Sequence, residues 1–360
     1  MGAPHEGVSG GRVGYRRCLR IGCLLAVLGG LGACTSPESR GLSGVAGGPA
    51  GGQASGPVSD EEVGWMTETG SSVLGGELRA LYREVRGKDS YEAPTVEEGE
   101  KLERLARRLW GCVRRGVVEG CELERLQEEA RGVGLELRVL GWGQLWALVE
   151  RADRRRGWGA WVFRLGELRV EAILQTPHTF HDAQTGRFGL TSFERQSWRA
   201  WGFNTIHRYA GGRPEGDESE VETDVAHSPG HPFQRITEVA LEVIRTPLVV
   251  QVHGFRRSSR SGDAELIVSE GHRGRLSPRV RALVEALRGV YPHVKEYPEQ
   301  VQVLGGETNV QGRVVRAHPG ALFVHLELAE RLREPMATEV EARVRLSEVL
   351  GRVLLLETGG

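Results

Sequence analysis

Leu248-Val249-Val250-Gln251-Val252-His253-Gly254-Phe255 and Ala321-Leu322-Phe323-Val324-His325-Leu326-Glu327-Leu328 are apolar runs broken by only a few polar residues. Runs of this length, bounded by turn residues, read as strands buried in a sheet. Working outward, Trp161 to Leu165, Leu168 to Gln175, Phe203 to Tyr209 and Ala264 to Ser269 have the same character. Between them lie amphipathic stretches: Gly189 to Ala200, Pro232 to Arg245, Pro278 to Val290 and Ala337 to Leu350. Strands alternating with helices predict an α/β domain over 158–360, with a mixed, largely parallel sheet and flanking helices. Residues 61–157 repeat apolar positions at three and four, as in Glu77 to Tyr82 and Leu102 to Trp110. They predict a small helical cap, with a short strand at Leu135 to Leu140 and a helical turn or two over Trp142 to Arg151.

Upstream the chain changes character. Arg12, Arg16, Arg17 and Arg20 precede an apolar run from Ile21 to Leu31, then Gly32-Ala33-Cys34. That order is a secretory signal, too short to span a bilayer as a helix. Leu31-Gly32-Ala33-Cys34 resembles the lipobox of bacterial lipoproteins. The resemblance implies cleavage after residue 33, acylation of Cys34 and anchoring in a lipid bilayer of the cell envelope. Thr35, in place of the Asp that retains such proteins at the inner membrane, points to the outer membrane. Residues 34–60, mostly Gly, Ser, Ala and Pro, read as a flexible tether.

The cysteines follow from this reading. Of five, Cys18 and Cys23 leave with the signal and Cys34 takes lipid, so Cys112 and Cys121 remain. In an oxidising compartment they are expected to form a disulfide. The net charge of −1 comes from interleaved acids and bases, which argues against a nucleic-acid partner. No glycine-rich phosphate loop is present.

Ligands in α/β sheets gather beyond the carboxyl ends of strands. Three such ends carry chemistry. His178 and His181-Asp182 follow the strand ending at Gln175, His253 closes the strand from Leu248, and alternation puts Phe323, His325 and Glu327 on one face of a third. A carboxylate in an apolar strand is costly unless paired or ligated. Imidazoles and a carboxylate from two strand ends fit a divalent cation, and a separate carboxylate fits a proton acceptor. Each also has a plainer reading: His178 as a loop histidine, His253 as a strand terminator, Glu327 as the partner of Arg331 or Arg333. Asp224-Val225-Ala226-His227-Ser228 offers a further ligand, a carboxylate orienting an imidazole, or merely a polar loop. Asn204 and His207-Arg208 either line the pocket or finish a strand.

Three segments together resemble a known family. Val252-His253-Gly254-Phe255, Leu304-Gly305-Gly306-Glu307-Thr308-Asn309-Val310-Gln311-Gly312-Arg313 and Val324 to Arg333 are similar, in order, to motifs of phage-type poly-γ-glutamate hydrolases. Those are zinc-carboxypeptidase-like enzymes with a His-Gly-Phe strand end, an Asn-x-x-x-Arg stretch and a Glu-Leu-Ser strand followed by Leu-Arg. Pro177-His178 also resembles the Pro-His strand end of N-formylglutamate amidohydrolases. The resemblance covers Leu168 to Arg333. It implies a zinc-dependent hydrolase cleaving an amide beside a carboxylate, in a peptide or γ-glutamyl substrate. It implies zinc on His178 and His253, Glu327 as the catalytic glutamate, and Arg313 holding a substrate carboxylate with help from Asn309; His227 is a further substrate-binding candidate. The family supplies His and Glu a few residues apart. Here Asp182 stands in place of that Glu, with His181 as the competing third ligand. A non-catalytic binding lipoprotein on the same fold and a lipoprotein-borne toxin are the other classes this sequence admits.

Overall fold

The computed structural model describes residues 73–87, 90–116, 120–211 and 221–356. The signal, Cys34 and the tether lie outside the described residues. Nine strands form one sheet in the order β1-β2-β3-β5-β4-β6-β9-β7-β8. The strands are β1 Leu135–Leu140, β2 Leu145–Glu150, β3 Ala160–Arg164, β4 Ala172–Thr176, β5 Ala200–Phe203, β6 Leu248–Phe255, β7 Leu266–Ser269, β8 Val294–Glu296 and β9 Leu322–Ala329. The sheet is mixed. The central run β5-β4-β6-β9 is parallel, as is β7-β8, and the other four pairings are antiparallel.

Helices cover both faces, which is why the central strands are buried on both sides. The longer helices are α1 Val73–Val85, α2 Val96–Arg115, α3 Gly120–Gly132, α4 Thr185–Arg195, α5 Pro232–Val243, α6 Pro278–Arg288, α7 Val310–Ala317 and α8 Val340–Leu350. Alternation within β2 shows the two layers: Leu145, Ala147 and Val149 pack with residues of α1, α4, α6 and α8. Trp146 and Leu148 pack with residues of α2, α3, α5 and α7. Among the described residues no helix is long and apolar enough to cross a membrane.

Several sequence expectations change. The boundary expected at 157/158 does not divide the structure, because β1 and β2 belong to the same sheet as the rest. The expected helical turn over Trp142 to Arg151 is a tight hairpin followed by β2. Gly141, Trp142 and Gly143 turn the chain with positive φ, and every residue of β2 is then buried. The strand expected over Phe203 to Tyr209 ends at Phe203, where Asn204 Oδ1 accepts from Thr205 N at 2.9 Å and turns the chain out of the sheet. The expected disulfide is absent: Cys112 is a free, buried thiol. Its Sγ lies 3.0 Å from Glu122 Oε1 and 3.2 Å from Arg115 Nη2, and the side chain of Cys121 lies outside the described residues.

Candidate metal centre and pocket

Three parallel strands deliver the site. β4 runs out through Thr176 and Pro177 to His178, β6 reaches His253 near its end, and β9 places Glu327 directly beside His253 in register. After His178 the chain makes one helical turn, with His178 O accepting from His181 N at 3.0 Å and Asp182 N at 2.8 Å. Residues four apart on such a turn share a face. Asp182 Oδ2 therefore returns to within 3.3 Å of His178 Nδ1 and 3.6 Å of His253 Nδ1. His181 points elsewhere, packing against His207 at 5.4 Å and Tyr209 at 5.3 Å between ring centres. Of the two competing third ligands, the fold brings Asp182 to the site.

His178 Nε2 is held by Asp224 Oδ1 at 2.8 Å and His253 Nε2 by Gln251 Oε1 at 2.7 Å. With the outer nitrogens occupied, the two Nδ1 atoms face one another at 3.1 Å. Asp182 Oδ2 is buried and makes no hydrogen bond. Two imidazole Nδ1 atoms and an unsatisfied carboxylate oxygen converge on one point, an arrangement that calls for positive charge there. The pKa shifts agree. Burial alone would lower His178, yet the Asp224 and Asp182 carboxylates outweigh it and raise its pKa. Burial lowers His253 to about 4, against the pull of Asp182. Asp182 is held well below the carboxylate range, since His178 and His253 overcome the cost of burying it. The donor set, two nitrogens and one carboxylate oxygen, fits zinc. His178, Asp182 and His253 have ligand atoms within 4.8 Å of one another, as do His253, His325 and Glu327. His253 is common to both, and its Nδ1 faces His178 Nδ1 and Asp182 Oδ2, which makes the first group the candidate cation site.

A cavity of about 340 Å³ opens over these groups, lined by His178, His253, His325, Glu327 and Arg208, and rimmed by Tyr297 and residues 302–309. Glu327 is buried, its Oε2 has no hydrogen-bond partner, and burial next to Asp182 raises its pKa well above an ordinary glutamate's. Neither Arg331 nor Arg333 pairs with it directly. Arg331 pairs with Glu265 at 3.1 Å, and Arg333 donates to the carbonyls of Ala183, Leu328 and Phe255. Burial, with His253 alongside, pushes His325 well below its ordinary pKa, and its Nδ1 has no partner.

The other sequence candidates divide. Arg313 is exposed on α7 and does not line the cavity, so the carboxylate-holding role implied for it is not supported. The helix starting at Val310 turns that side chain away. Asn309 lines the cavity, but its Oδ1 caps α7 by accepting from Gly312 N at 2.8 Å and its Nδ2 donates to Gln251 Oε1. Its expected part in substrate binding gives way to a structural one. His227 lines the cavity, 3.1 Å from Asp224 Oδ2 and 3.1 Å from Thr308 Oγ1. Asp224 is the carboxylate that orients His178. Arg208 pairs with Asp224, has Nη1 at 3.4 Å from His178 Nδ1, and is the guanidinium that reaches the cavity. Asn204 finishes its strand instead, and His207 packs against His181. Reading the sequence missed Gln251, whose signal was a lone amide in an apolar strand two residues before a histidine.

No protein-family model and none of the curated proteins matches the sequence. Solved structures to which the chain is similar include an N-formylglutamate amidohydrolase from Ralstonia eutropha (12% identity, TM-score 0.37, covering 53% of this chain and 93% of that one). A metallo-carboxypeptidase from Pseudomonas aeruginosa is similar at 12% identity and TM-score 0.37, covering 66% of this chain and 68% of its own. The gene product Atu2144 from Agrobacterium tumefaciens is similar at 15% identity and TM-score 0.32, covering 52% and 89%.

Proposed function

We propose that this chain is a zinc-dependent amide hydrolase of the cell envelope, acting on an amide close to a carboxylate in a peptide or γ-glutamyl substrate. The observation that carries the reading is the pairing of Glu327 with the cation group. A buried, unsatisfied carboxylate faces the same cavity from the strand next to His253. His178, Asp182 and His253 would hold the cation, which would supply Lewis acidity toward a carbonyl oxygen and toward water. Glu327 Oε2, made more basic by burial, accepts the proton of the attacking water and passes it to the departing amine nitrogen. Arg208 offers an N–H donor and positive charge to a substrate carboxylate or carbonyl oxygen. Residues 302–309 form part of the cavity rim.

The envelope location rests on the Leu31-Gly32-Ala33-Cys34 sequence, with acylated Cys34 as the anchor and the outer membrane as the site. Peptidoglycan stem peptides, with their γ-linked glutamate, are the substrate class this location favours. The reading is tested by assaying the zinc-loaded protein and Glu327→Gln on γ-glutamyl amides and stem peptides. Hydrolysis by the first and not the second supports it; equal rates for both, or none for either, contradict it.

A further inference from the structure

Gln251 sits inside β6 with no exposure to solvent, an amide in a strand of apolar residues. All its hydrogen-bonding capacity is used. Oε1 accepts from His253 Nε2 and Asn309 Nδ2, while Nε2 donates to Gln175 Oε1 at 2.9 Å and Gln311 Oε1 at 3.2 Å. An amide with two acceptors on one side and two donors on the other has one allowed orientation.

That orientation is dictated by the backbone from three directions. Gln311 Nε2 donates to the carbonyl of Val225 at 2.7 Å, so its oxygen must face Gln251. Thr237 Oγ1 donates to the carbonyl of Phe233 at 2.9 Å, so it accepts from Gln175 Nε2, and the Gln175 oxygen must also face Gln251. Asn309 Oδ1 accepts from the Gly312 amide, so its NH₂ faces Gln251 Oε1. A carbonyl oxygen cannot donate and an amide N–H cannot accept, so none of the three chains can reverse. Each ends on Gln251, and together they turn Gln251 Oε1 toward His253 Nε2.

We infer that Gln251 is a positioning residue that fixes His253 as the Nε2–H tautomer and thereby turns the Nδ1 lone pair toward the cation site. Reversing the amide would set its NH₂ group against the NH₂ of Asn309 and its oxygen against those of Gln175 and Gln311. Imidazoles that hold metals commonly donate their other N–H to such an acceptor, and losing that acceptor costs 10- to 100-fold in affinity. The network also joins β4, β6, α5 and α7 beneath the cavity, so the rim residue Asn309 and the cation group share one acceptor.

The inference rests on reading His178, Asp182 and His253 as the cation site, and the test separates the two. Long-range proton–nitrogen NMR on the ¹⁵N-labelled, metal-free protein reports the His253 tautomer. Competition with a chelator then gives the zinc affinity of wild type, Gln251→Leu and Gln251→Glu. A proton on Nε2 in wild type, a 10- to 100-fold weaker zinc site in Gln251→Leu, and affinity within about 3-fold of wild type in Gln251→Glu are expected. Glutamate, protonated in this buried position, keeps an acceptor oxygen for His253 and a hydroxyl that donates to Gln175 Oε1, whereas leucine offers neither. A proton on Nδ1 in wild type overturns the inference without any variant having to fold, and so does unchanged zinc affinity in Gln251→Leu. Failure of wild type to bind zinc overturns the cation site itself, while the tautomer still decides the lock.

Discussion

The Nδ1 atoms of His178 and His253 face each other at 3.1 Å, although their rings come from different strand ends, 75 positions apart in sequence. Asp224 holds one ring by its far nitrogen and Gln251 holds the other. With Asp182 completing the group, side chains that repel or go unsatisfied on their own gather where a positive charge satisfies all three.

Glu327→Gln is predicted to lower kcat by 100-fold or more, the scale of general acid–base catalysis, with zinc retained. Glu327 stands beside the cation group and contributes nothing to holding it in this account. Parallel assay of turnover and bound zinc checks both halves.

The two arginines separate in a way sequence order did not suggest. Arg208→Ala is expected to lower kcat/KM more than 10-fold, since the side chain reaches the cavity and steadies Asp224 behind His178. Arg313→Ala, altering an exposed residue away from the cavity, is expected to stay within about 2-fold, the scale of surface changes. Steady-state kinetics of the two variants decide between this arrangement and the motif-based one.

Acid stability carries the mark of His231. This fully buried ring caps α5, donates from Nε2 to the carbonyl of Gly157 at 3.1 Å and stacks on Tyr91. Burial lowers its pKa to about 3, so the unfolded chain takes up a proton near pH 6.5 that the folded chain refuses. Its contribution is therefore complete above pH 6.5 and is lost as pH falls toward 3. At about 1.4 kcal/mol per pKa unit, the loss between pH 7 and 4.5 is about 3 kcal/mol. His231→Asn, which can still cap the helix, is expected to flatten this part of the profile in urea unfolding at the two pH values.

Reducing agent should leave the melting temperature unchanged. Cys112 is a buried free thiol whose pKa is pushed up to about 11, first by burial and then by Glu122, so it is a poor nucleophile. A fall of several degrees on adding dithiothreitol would restore the disulfide that the sequence suggested.

What could be read in advance was what lies along a single strand. The runs at Leu248 and Ala321 announced β6 and β9, and with them His253 and Glu327. Asp182 was legible as a candidate because it stands where the resembled family supplies a Glu, but choosing it over His181 required the turn that follows His178. Arg313 was misplaced because Asn309 caps a helix, and one capped turn rotates the following side chains away from the cavity. β2 was mistaken for helix because a strand buried on both faces has no alternation to betray it. The Gln251 network was out of reach since its partners, Gln175, Asn309 and Gln311, meet only across the folded sheet.

Elemental analysis of the purified protein tests the central claim most directly, comparing wild type with His178→Ala, Asp182→Ala and His253→Ala after reconstitution with zinc. The account predicts about one equivalent in wild type and its loss in each variant, the stoichiometry of a single three-ligand site. Wild type that binds no zinc, or an Asp182→Ala protein that holds as much as wild type, would contradict it.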